Sequence, residues 1–561
     1  MNLKNRTILY LLLFSGIAGK QLTEKVSNKI TSNESKPICG TPFIVNSFQY
    51  DTSSISTFDL SGLKDKESLS QNKLIQLRET NLDLSYETEH FRINYTFEGI
   101  NAVESIDYIL SMGNIFEQVY SFFIDTLDYD KPPTNSDGFY DINVERLEPG
   151  YFGYAIPQGY GKSCIGNIAM RNSYSSSDFN THTEEENIKV TAVHEFFHLV
   201  QFGYNCYSLR QGSGDIWFME ATAVWSEDAL YNGINDHYRY MGSWFSSPTK
   251  SIYDQGNSYM YGTFIFFQYI DEHLGGPETI RTCWENSRNL ASPIKDVSLE
   301  SINNALASYN SSFENAYSNM RIANRILTDS EGAGIYRYEE ATGYLSATTT
   351  PREIDLRYFN AGDLLIINDN PISKQLGHYQ KLGHYQSLYY SISTDAPMSI
   401  FFNDITGNFR FSTIIKYEQN EQWIVRSEYE QNIDPEIDIE WISILISTVG
   451  ENGNEWDFSL EFSDGYSEDF SSFSPYPNPS FGKNISMDIQ VISKQTIHTT
   501  IYNLLGQQIW KVTKQFDHPD RVTLSWNGLN SDGSQISNGY YFIVVEGKYK
   551  KENHKIIYLK N

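Results

Sequence analysis

Residues 190–203 (VTAVHEFFHLVQFG) contain two histidines and a glutamate at a spacing that suits metal-dependent hydrolysis. Residues four apart lie on one face of an α-helix, so His194 and His198 can present two imidazole nitrogens to one tetrahedral Zn²⁺ ion. Glu195 can then act as the general base on a zinc-bound water. With only 11 histidines in 561 residues, a chance H-E-x-x-H has odds on the order of one or two in a hundred. The pattern predicts a catalytic zinc site, and a pair of hydrogen-bonded core histidines is the alternative.

A third candidate ligand, Glu220, lies in the apolar stretch 217–225 (WFMEATAVW), which predicts a second buried helix. A buried carboxylate is costly unless a partner or a metal neutralises its charge. Two histidines, one glutamate and a water form a catalytic rather than a structural zinc shell. The alternative is a glutamate placed in a first helical turn by the helix dipole.

These motifs resemble those of the gluzincin metallopeptidases, in which H-E-x-x-H is completed by a glutamate on a following helix. HEFFHLVQFGY with WFMEATAVWSED is similar, more closely, to a group of secreted bacterial metalloproteases first noted in myxobacteria. The resemblance extends over residues 39–335. It implies that His194, His198 and Glu220 bind zinc and that Glu195 is the catalytic base.

The elements before the zinc helix must position it. Residues 90–95 and 140–144 alternate as strands do, and apolar residues at helical spacing predict a helix within 102–126. This mixed order predicts an α+β peptidase domain over residues 86–337. Residues 166–172 (GNIAMRN) are predicted to be the sheet-edge strand on which a peptide substrate lies.

The same GNIAMRN stretch has a loose likeness to the G-x-M-E-N box of gluzincin aminopeptidases, whose glutamate binds the substrate's free amine. Arg171 stands at that glutamate's position. The departure favours an endopeptidase.

Two tyrosines are candidates for stabilising the oxyanion. In aminopeptidase-type gluzincins a Y-x-x-G tyrosine has this role, and Tyr259 with Gly262 matches the spacing. Tyr261 is a rival, and a packing role for both stays open in a chain with 40 tyrosines. Glu227 and Asp228 are candidates for orienting a zinc histidine, or else they lie at a solvated helix end.

Two further histidines, His182 and His237, are predicted to lie at the surface or in loops.

The N-terminus predicts export. Residues 1–19 combine Lys4 and Arg6 with an apolar core, as secretory signal peptides do, and no later apolar run is long enough to span a membrane. Residues 20–85 are predicted to be a propeptide or an N-terminal extension. The net charge of -28 argues against nucleic acid and anionic membranes as partners.

The four cysteines, Cys39, Cys164, Cys206 and Cys283, can form up to two disulfides, and their spacing does not choose among the three pairings. Cys39 could alternatively ligate zinc as an inhibitory thiolate. A disulfide or a structural role is the favoured interpretation.

Residues 338–465 are predicted to form a β-sandwich accessory domain, because strand-like runs such as 399–402 and 441–446 are divided by turn residues. The tandem QLGHYQKLGHYQ at 375–386 is interpreted as a local duplication rather than a metal site. Residues 466–475 are predicted to be a linker.

Residues 476–561 contain YPNP, IYNLLGQQIW, WNG, NSDG and SNGYYF, followed by a basic end. This pattern resembles the C-terminal sorting domain of the type IX secretion system. It implies a small β-sandwich, a type IX secretion machinery as partner, and secretion or surface display in a Gram-negative, Bacteroidota-type bacterium.

Together these features predict a multidomain protein: a gluzincin-like α+β zinc metallopeptidase domain, a β-sandwich and a sorting domain. The predicted function is hydrolysis of peptide bonds in extracellular proteins. One alternative is an inactive peptidase-like surface adhesin or binding protein, and another is zinc-dependent hydrolysis of a different bond.

Overall fold

The architecture was analysed in a computed structural model, which describes most of the chain from residue 82 onward and two short N-terminal segments. The described residues are 8–10, 39–41, 82–209, 215–256, 258–344, 349–357, 364–367, 385–395, 398–404, 409–418, 422–433, 439–449, 458–464, 470–491, 495–516, 520–547 and 550–560. Most of the predicted N-terminal extension and residues 375–384 of the duplication lie outside them. The first strand, β1 (Ile8–Tyr10), lies within the predicted signal peptide.

A five-stranded mixed sheet begins the N-terminal domain. Its strands are β2 (Leu84–Glu87), β3 (Phe91–Tyr95), β4 (Tyr140–Glu145), β5 (Gly153–Gln158) and β6 (Ile165–Arg171). They lie in the order β2-β3-β4-β6-β5, with β3, β4 and β6 parallel and the two outer strands antiparallel to their neighbours.

The prediction that residues 166–172 form the edge strand is therefore wrong, because the edge lies one strand further out. β6, formed by the GNIAMRN stretch, is an interior strand because it pairs with β4 on one side and with β5 on the other. β5 is the free edge at this end of the sheet. Adjacent strands in a sequence commonly pair as a hairpin, and the β5–β6 hairpin covers the side of β6 that the prediction left open.

Ten α-helices follow or cross this sheet in the described part of the chain. They are α1 (Ile106–Ser121), α2 (Glu184–Asn205), α3 (Ile216–Tyr231), α4 (Tyr238–Phe245), α5 (Tyr259–Gly262), α6 (Phe264–His273), α7 (Pro277–Leu290), α8 (Ser298–Leu306), α9 (Phe313–Ile326) and α10 (Ala341–Tyr344). The predicted helix within 102–126 corresponds to α1 and a short π-helical turn after it.

Helix α2 is the central element of this domain. It begins at a capping box, in which Glu186 N donates to Thr183 Oγ1 and Thr183 N donates to Glu186 Oε2. From Asn187 onward almost every residue is buried, because α2 packs against β5, β6, α1 and α3. A helix that is buried on all sides lies inside a domain core.

Gly153 on β5 permits the closest contact of this packing. A Cβ atom at that position would lie 2.7 Å from Thr191 Cγ2 and 3.2 Å from Glu195 Cγ. The edge strand can therefore pass directly beside the catalytic candidate Glu195 only because a glycine stands there.

Two five-stranded sheets form a β-sandwich after the helices. Its strands are β7 (Arg352–Asp355), β8 (Leu364–Ile367), β9 (Ser387–Ser393), β10 (Met398–Asp404), β11 (Phe409–Tyr417), β12 (Trp423–Arg426), β13 (Glu430–Ile433), β14 (Ile439–Thr448) and β15 (Phe458–Asp464). The sheet orders are β1-β8-β15-β10-β13 and β12-β11-β14-β9-β7. β1 pairs in parallel with β8, so this pairing belongs to the full-length chain and would be lost with a cleaved signal peptide.

The sandwich packs directly against helix α9. Ile322 and Ile326 share an apolar cluster with Ile414 and Leu445, and Tyr389 Oη donates to the α9 backbone 2.8 Å away. The N-terminal domain and the sandwich are thus joined by a buried contact as well as by the chain.

The C-terminal part is a second, smaller sandwich. Its strands are β16 (Phe470–Ser472), β17 (Ser480–Phe481), β18 (Ile485–Val491), β19 (Gln495–Asn503), β20 (Gln508–Phe516), β21 (Asp520–Trp526), β22 (Gly539–Glu546) and β23 (Lys551–Leu559). They form sheets ordered β16-β18-β21 and β17-β23-β22-β19-β20. The predicted linker 466–475 is corrected here, because residues 470–472 pair with β18 and bury Phe470 in the core.

Among the described helices, none has both the length and the apolar character needed to cross a membrane.

Candidate active site

Helices α2 and α3 bring the three predicted metal ligands together. His194 and His198 lie one turn apart on α2, with their ring centroids 4.8 Å apart. Glu220, one turn into α3, faces both rings: its Oε2 lies 3.4 Å from His194 Nε2 and its Oε1 lies 3.3 Å from His198 Nε2. All three side chains are buried, with Glu220 only 1% exposed.

These separations fit a tetrahedral metal site. Ligand bonds of about 2.0 to 2.3 Å at tetrahedral angles place donor atoms roughly 3.3 to 3.7 Å apart. Moreover, His194 Nε2 and Glu220 Oε2 are buried and have no hydrogen-bond partner among the described residues. Unpartnered buried polar atoms are costly. Their convergence is what a bound cation would satisfy, and the donor set of two imidazoles and a carboxylate suits zinc.

The outer nitrogens of both rings are held by hydrogen bonds. His194 Nδ1 lies 2.6 Å from Glu227 Oε1, and His198 Nδ1 lies 2.8 Å from Gln201 Oε1. Acceptors at Nδ1 fix the tautomer with its proton there and turn the Nε2 lone pair toward Glu220. Glu227 thus lies where an orienting residue would be, whereas Gln201 was missed by the sequence analysis. The sequence signal for Gln201 was its helical spacing, seven residues after His194 and three after His198, which places it beside these histidines.

Gln201 is itself fixed by the neighbouring helix. Its Nε2 donates to Met219 O at 3.0 Å and to Thr222 Oγ1 at 3.1 Å. Because both of its donors are used on α3, its carbonyl oxygen must face His198. Burial lowers the pKa of His198 to about 4, although the negative charge of Glu220 opposes this change. The ring is therefore neutral at neutral pH, which is the form that binds metals.

Glu195 lies beside the three ligand candidates rather than among them. Burial raises the pKa of its carboxyl to about 7, although the positive charge of His194 opposes the rise. Its Oε2 accepts a hydrogen bond from Thr41 Oγ1 at 3.1 Å. A small cavity lies next to it, lined among others by Phe152, Val190 and Tyr240.

The structure separates the two tyrosine candidates. Tyr261 Oη donates to Cys39 O at 3.0 Å, close to the ligand cluster, and its ring stacks on Tyr240. Tyr259 points elsewhere: its Oη donates to Lys250 O at 3.0 Å and lies 3.5 Å from an Arg321 nitrogen. Residues two apart on a helix point in nearly opposite directions, so only one of the two tyrosines can face the ligand cluster. The Y-x-x-G spacing indicated Tyr259, whose ring instead packs between helices.

Cys39 does not form the disulfide that was one part of the favoured interpretation. It is a free thiol, and its Sγ lies 3.7 Å from His198 Nε2. One donor atom from each of Cys39, His194, His198 and Glu220 lies within 4.8 Å of all the others. Burial raises the pKa of the thiol, and the charges of Glu195 and Glu220 raise it further; a cation at this position would reverse the effect because it stabilises the thiolate.

One disulfide lies elsewhere in the described chain and joins Cys164 to Cys206, the residue after α2. Cys283 is free and buried in the core. The site thus contains one of two free thiols.

His237 lies in a turn, as one of the two predicted alternatives had it, but its side chain is buried rather than at the surface. Its Nε2 lies 2.8 Å from Glu340 Oε2 and its Nδ1 lies 3.8 Å from Asp228 Oδ1. Asp228 therefore contacts this second histidine and not a zinc-ligand candidate. His182 is partly exposed and lies 3.2 Å from Asp236.

Arg171, at the position of the aminopeptidase glutamate, has a local structural role. Its guanidinium donates to Glu148 O and Tyr151 O and stacks over Phe179. It thereby holds together the loops that flank β5 and β6.

Comparison with known proteins assigns the C-terminal part. Residues 474–559 match the family described as a secretion system C-terminal sorting domain. This segment is a type IX secretion sorting domain. The chain is accordingly a secreted or cell-surface protein of a Bacteroidota bacterium, and the domain is its point of interaction with the type IX secretion machinery.

The site itself falls within a family without an assigned activity. Residues 104–305 match a family of unknown function (DUF6055). A comparison with curated proteins found no match.

Solved structures add only weak likenesses. PorZ, a surface component of the type IX secretion system of Porphyromonas gingivalis, is 15% identical, with 18% of this chain and 14% of PorZ covered and a TM-score of 0.12. Latent PorU from the same organism is 15% identical, with 30% and 18% covered and a TM-score of 0.16. A β-glucuronidase from Bacteroides uniformis is 9% identical, with 33% and 27% covered and a TM-score of 0.15. The chain thus spans under a third of each of these proteins, and such scores carry no argument about fold or activity.

Proposed function

We propose that this protein is a secreted zinc-dependent metalloendopeptidase that hydrolyses peptide bonds of extracellular proteins. The observation that carries the proposal is the convergence of His194 Nε2, His198 Nε2 and Glu220. In the described part of the chain, His194 Nε2 and Glu220 Oε2 have no hydrogen-bond partner. Both histidines also have their outer nitrogens held by acceptors. The gluzincin-like motif implies the same ligand set and the same base.

His194, His198 and Glu220 would hold the zinc. When bound, zinc supplies Lewis-acid polarisation of the scissile carbonyl and makes water more acidic. Glu195, next to His194 on α2 but outside the ligand set, would take the proton of the attacking water and deliver it to the departing amine nitrogen. Without this proton the amine is a poor leaving group, so both transfers are required.

Tyr261 is the candidate for stabilising the oxyanion. Its phenol already donates to a backbone carbonyl, Cys39 O, beside the ligand cluster. A donor held in this direction would strengthen its hydrogen bond as negative charge develops on a substrate carbonyl. Tyr259 does not take part, because its hydroxyl points away from the ligand cluster and donates to Lys250 O.

The β5 edge would bind the substrate backbone. Gly153 O accepts a hydrogen bond from Gly40 N at 2.9 Å, so this edge can pair with an extended chain. A small cavity, bordered by Phe152 and Tyr240, adjoins this edge. Because Arg171 is used to hold loops, the site offers no carboxylate at the amine-binding position, which favours internal cleavage.

Cleavage of unstructured casein by the purified full chain tests the proposal. The assay uses a Cys39→Ala background, since a thiol lies 3.7 Å from His198 Nε2. We expect chelator-sensitive cleavage that zinc restores, and a loss of about 10² to 10⁴-fold in Glu195→Gln with zinc still bound. Glu185→Gln, an exposed position on the same helix, is the matched control and should cleave normally. Stoichiometric zinc without cleavage of any protein or peptide would support the binding-protein alternative instead.

A further inference from the structure

We propose that residues 39–41 are an intramolecular inhibitor: Cys39 supplies a fourth zinc ligand while Gly40 and Thr41 occupy the substrate-binding edge, so that the chain is made in a latent form. The inference concerns regulation and rests on the proposed metallopeptidase function. We call residues 39–41 the latch.

The thiol lies where the open coordination position would be. A catalytic zinc keeps three protein ligands and one exchangeable position. Cys39 Sγ lies 3.7 Å from His198 Nε2, a separation that fits the edge of a tetrahedron with one zinc–sulfur bond of about 2.3 Å. A second observation points to a cation here: His194 Nε2 and Glu220 Oε2 are buried and have no hydrogen-bond partner within the described ranges.

The backbone of the latch also holds the sulfur in place. Thr41 N donates to Cys39 Sγ at 3.3 Å. On coordination the thiol proton is released to solvent and a zinc–sulfur bond forms. With four protein ligands, no position remains for the attacking water.

The backbone of the latch makes the contacts expected of a substrate. Gly40 N donates to Gly153 O on the β5 edge at 2.9 Å, and Cys39 O accepts from Tyr261 Oη at 3.0 Å. A substrate peptide would need the same edge and the same phenol. The latch and a substrate therefore cannot be bound together.

Thr41 engages the base as well. Its hydroxyl donates to Glu195 Oε2 at 3.1 Å and accepts from Ala155 N at 2.8 Å. Thr41 is 1% exposed, so this contact is shielded from water. The same three residues thus contact the metal ligands, the base, the oxyanion candidate and the substrate edge.

The glycine in the latch is a close-packing requirement. A Cβ atom at Gly40 would lie 2.9 Å from Tyr154 Cδ1 and 3.3 Å from Tyr151 Cδ1. A bulky residue at this position must displace either the tyrosines or the latch. Gly40→Val is accordingly a way to expel the latch while leaving the thiol present.

Coordination is tested first on the full chain loaded with Co²⁺ in place of zinc. The wild type should show a thiolate-to-cobalt charge-transfer band in the near ultraviolet, and Cys39→Ala should lack it. Cys283→Ala, which removes the other free thiol, should keep it. Cobalt bound without the band in the wild type would overturn the proposal, as would a band that survives Cys39→Ala.

Latency is tested by casein cleavage with the zinc-loaded full chain. We expect Cys39→Ala and Gly40→Val to cleave at least about tenfold faster than the wild type, because one lacks the fourth ligand and the other displaces it. An organomercurial should activate the wild type and Cys283→Ala but leave Cys39→Ala unchanged. Equal cleavage by wild type, Cys39→Ala and Gly40→Val would overturn the latch while leaving the peptidase function in place.

The two proposals fail differently. If no variant cleaves protein but the cobalt band depends on Cys39, the coordination by the latch stands and the proposed peptidase function is wrong. If Cys39→Ala and Gly40→Val both unfold, judged by circular dichroism, Thr41→Val provides the third arm. It keeps the side-chain volume, removes the hydrogen bond to Glu195 and should raise the cleavage rate of the full chain. An unchanged rate in this variant would count against the latch.

Discussion

Two buried histidine–carboxylate clusters lie within the same domain and differ in one respect that decides their chemistry. At His237 the two ring nitrogens face carboxylates on opposite sides, Glu340 at 2.8 Å and Asp228 at 3.8 Å. At His194 an acceptor, Glu227, occupies only the outer nitrogen, and the inner nitrogen is left without a hydrogen-bond partner among the described residues.

Asp228, His237 and Glu340 also lie close enough together to hold a metal ion, but this cluster contains a single histidine, whose nearer nitrogen contacts Glu340. The His237 ring lies between two acidic groups and makes its close contact with Glu340. The His194 and His198 rings are hydrogen-bonded through their Nδ1 atoms. Their Nε2 atoms both face Glu220. Burial and acidic neighbours are common to both clusters and do not distinguish them.

Matched substitutions in the two clusters give the largest expected contrast. His198→Gln should reduce the zinc content to background, because a ligand of the three is lost. His237→Gln should retain stoichiometric zinc and cost about 1–3 kcal/mol of unfolding free energy through the lost buried hydrogen bonds. Elemental analysis and urea unfolding of the two variants measure the contrast, and loss of zinc from both would remove the distinction drawn here.

The two tyrosines give the next contrast. In the Cys39→Ala background, Tyr261→Phe should lower kcat by about 10² to 10³-fold, as the removal of an oxyanion donor does. Tyr259→Phe should cleave normally and lose about 1 kcal/mol of stability with its hydrogen bond to Lys250 O. Steady-state kinetics on a fluorogenic peptide would show the opposite ranking if the Y-x-x-G spacing identified the right residue.

Removal of the groups behind the ligands should have a smaller effect. Glu227→Gln weakens the acceptor at His194 Nδ1 and should reduce zinc affinity by about 10 to 100-fold, and Gln201→Leu should act similarly through His198. Competition with a chelating dye measures the affinity. Asp228→Asn, one residue from Glu227 but directed at His237, is the control, and an equal loss in this variant would contradict the assignment.

The smallest effect concerns stability and pH in the second cluster. Burial raises the pKa of Asp228 to about 7, although the positive charge of His237 opposes the rise and Glu340, Asp271 and Glu339 add to it. The folded state therefore holds a proton that the unfolded state loses above its ordinary pKa of about 4. Between these values Asp228 makes the protein less stable as pH rises, by at most about 1.4 kcal/mol per pH unit. Asp228→Asn should abolish this slope in metal-free protein, and an unchanged slope would assign it to another group.

Several parts of the account could be predicted from the sequence because they are local. The i, i+4 spacing of His194 and His198, the apolar helix around Glu220, and the turn-rich repeats of the sorting domain all depend on neighbouring residues. The strand-and-helix order before α2 was also readable from periodicity.

The remaining features depend on contacts between distant residues. Cys39 lies 159 positions from His198 in the chain, and no periodicity relates them. The identity of the edge strand depends on the pairing of β6 with β5. The choice between Tyr259 and Tyr261 depends on the orientation of a four-residue helix. His237 is buried because Asp228 of α3 and Tyr344 of α10 lie against it. These contacts cannot be read from the sequence around His237.

X-ray absorption at the zinc edge of the purified full chain tests the central claim most directly. The account predicts stoichiometric zinc bound by two imidazole nitrogens, one carboxylate and one sulfur at about 2.3 Å, with the sulfur lost in Cys39→Ala and the zinc lost in His198→Gln. A chain that binds no stoichiometric zinc, or whose zinc survives His198→Gln, would contradict the assignment of the site.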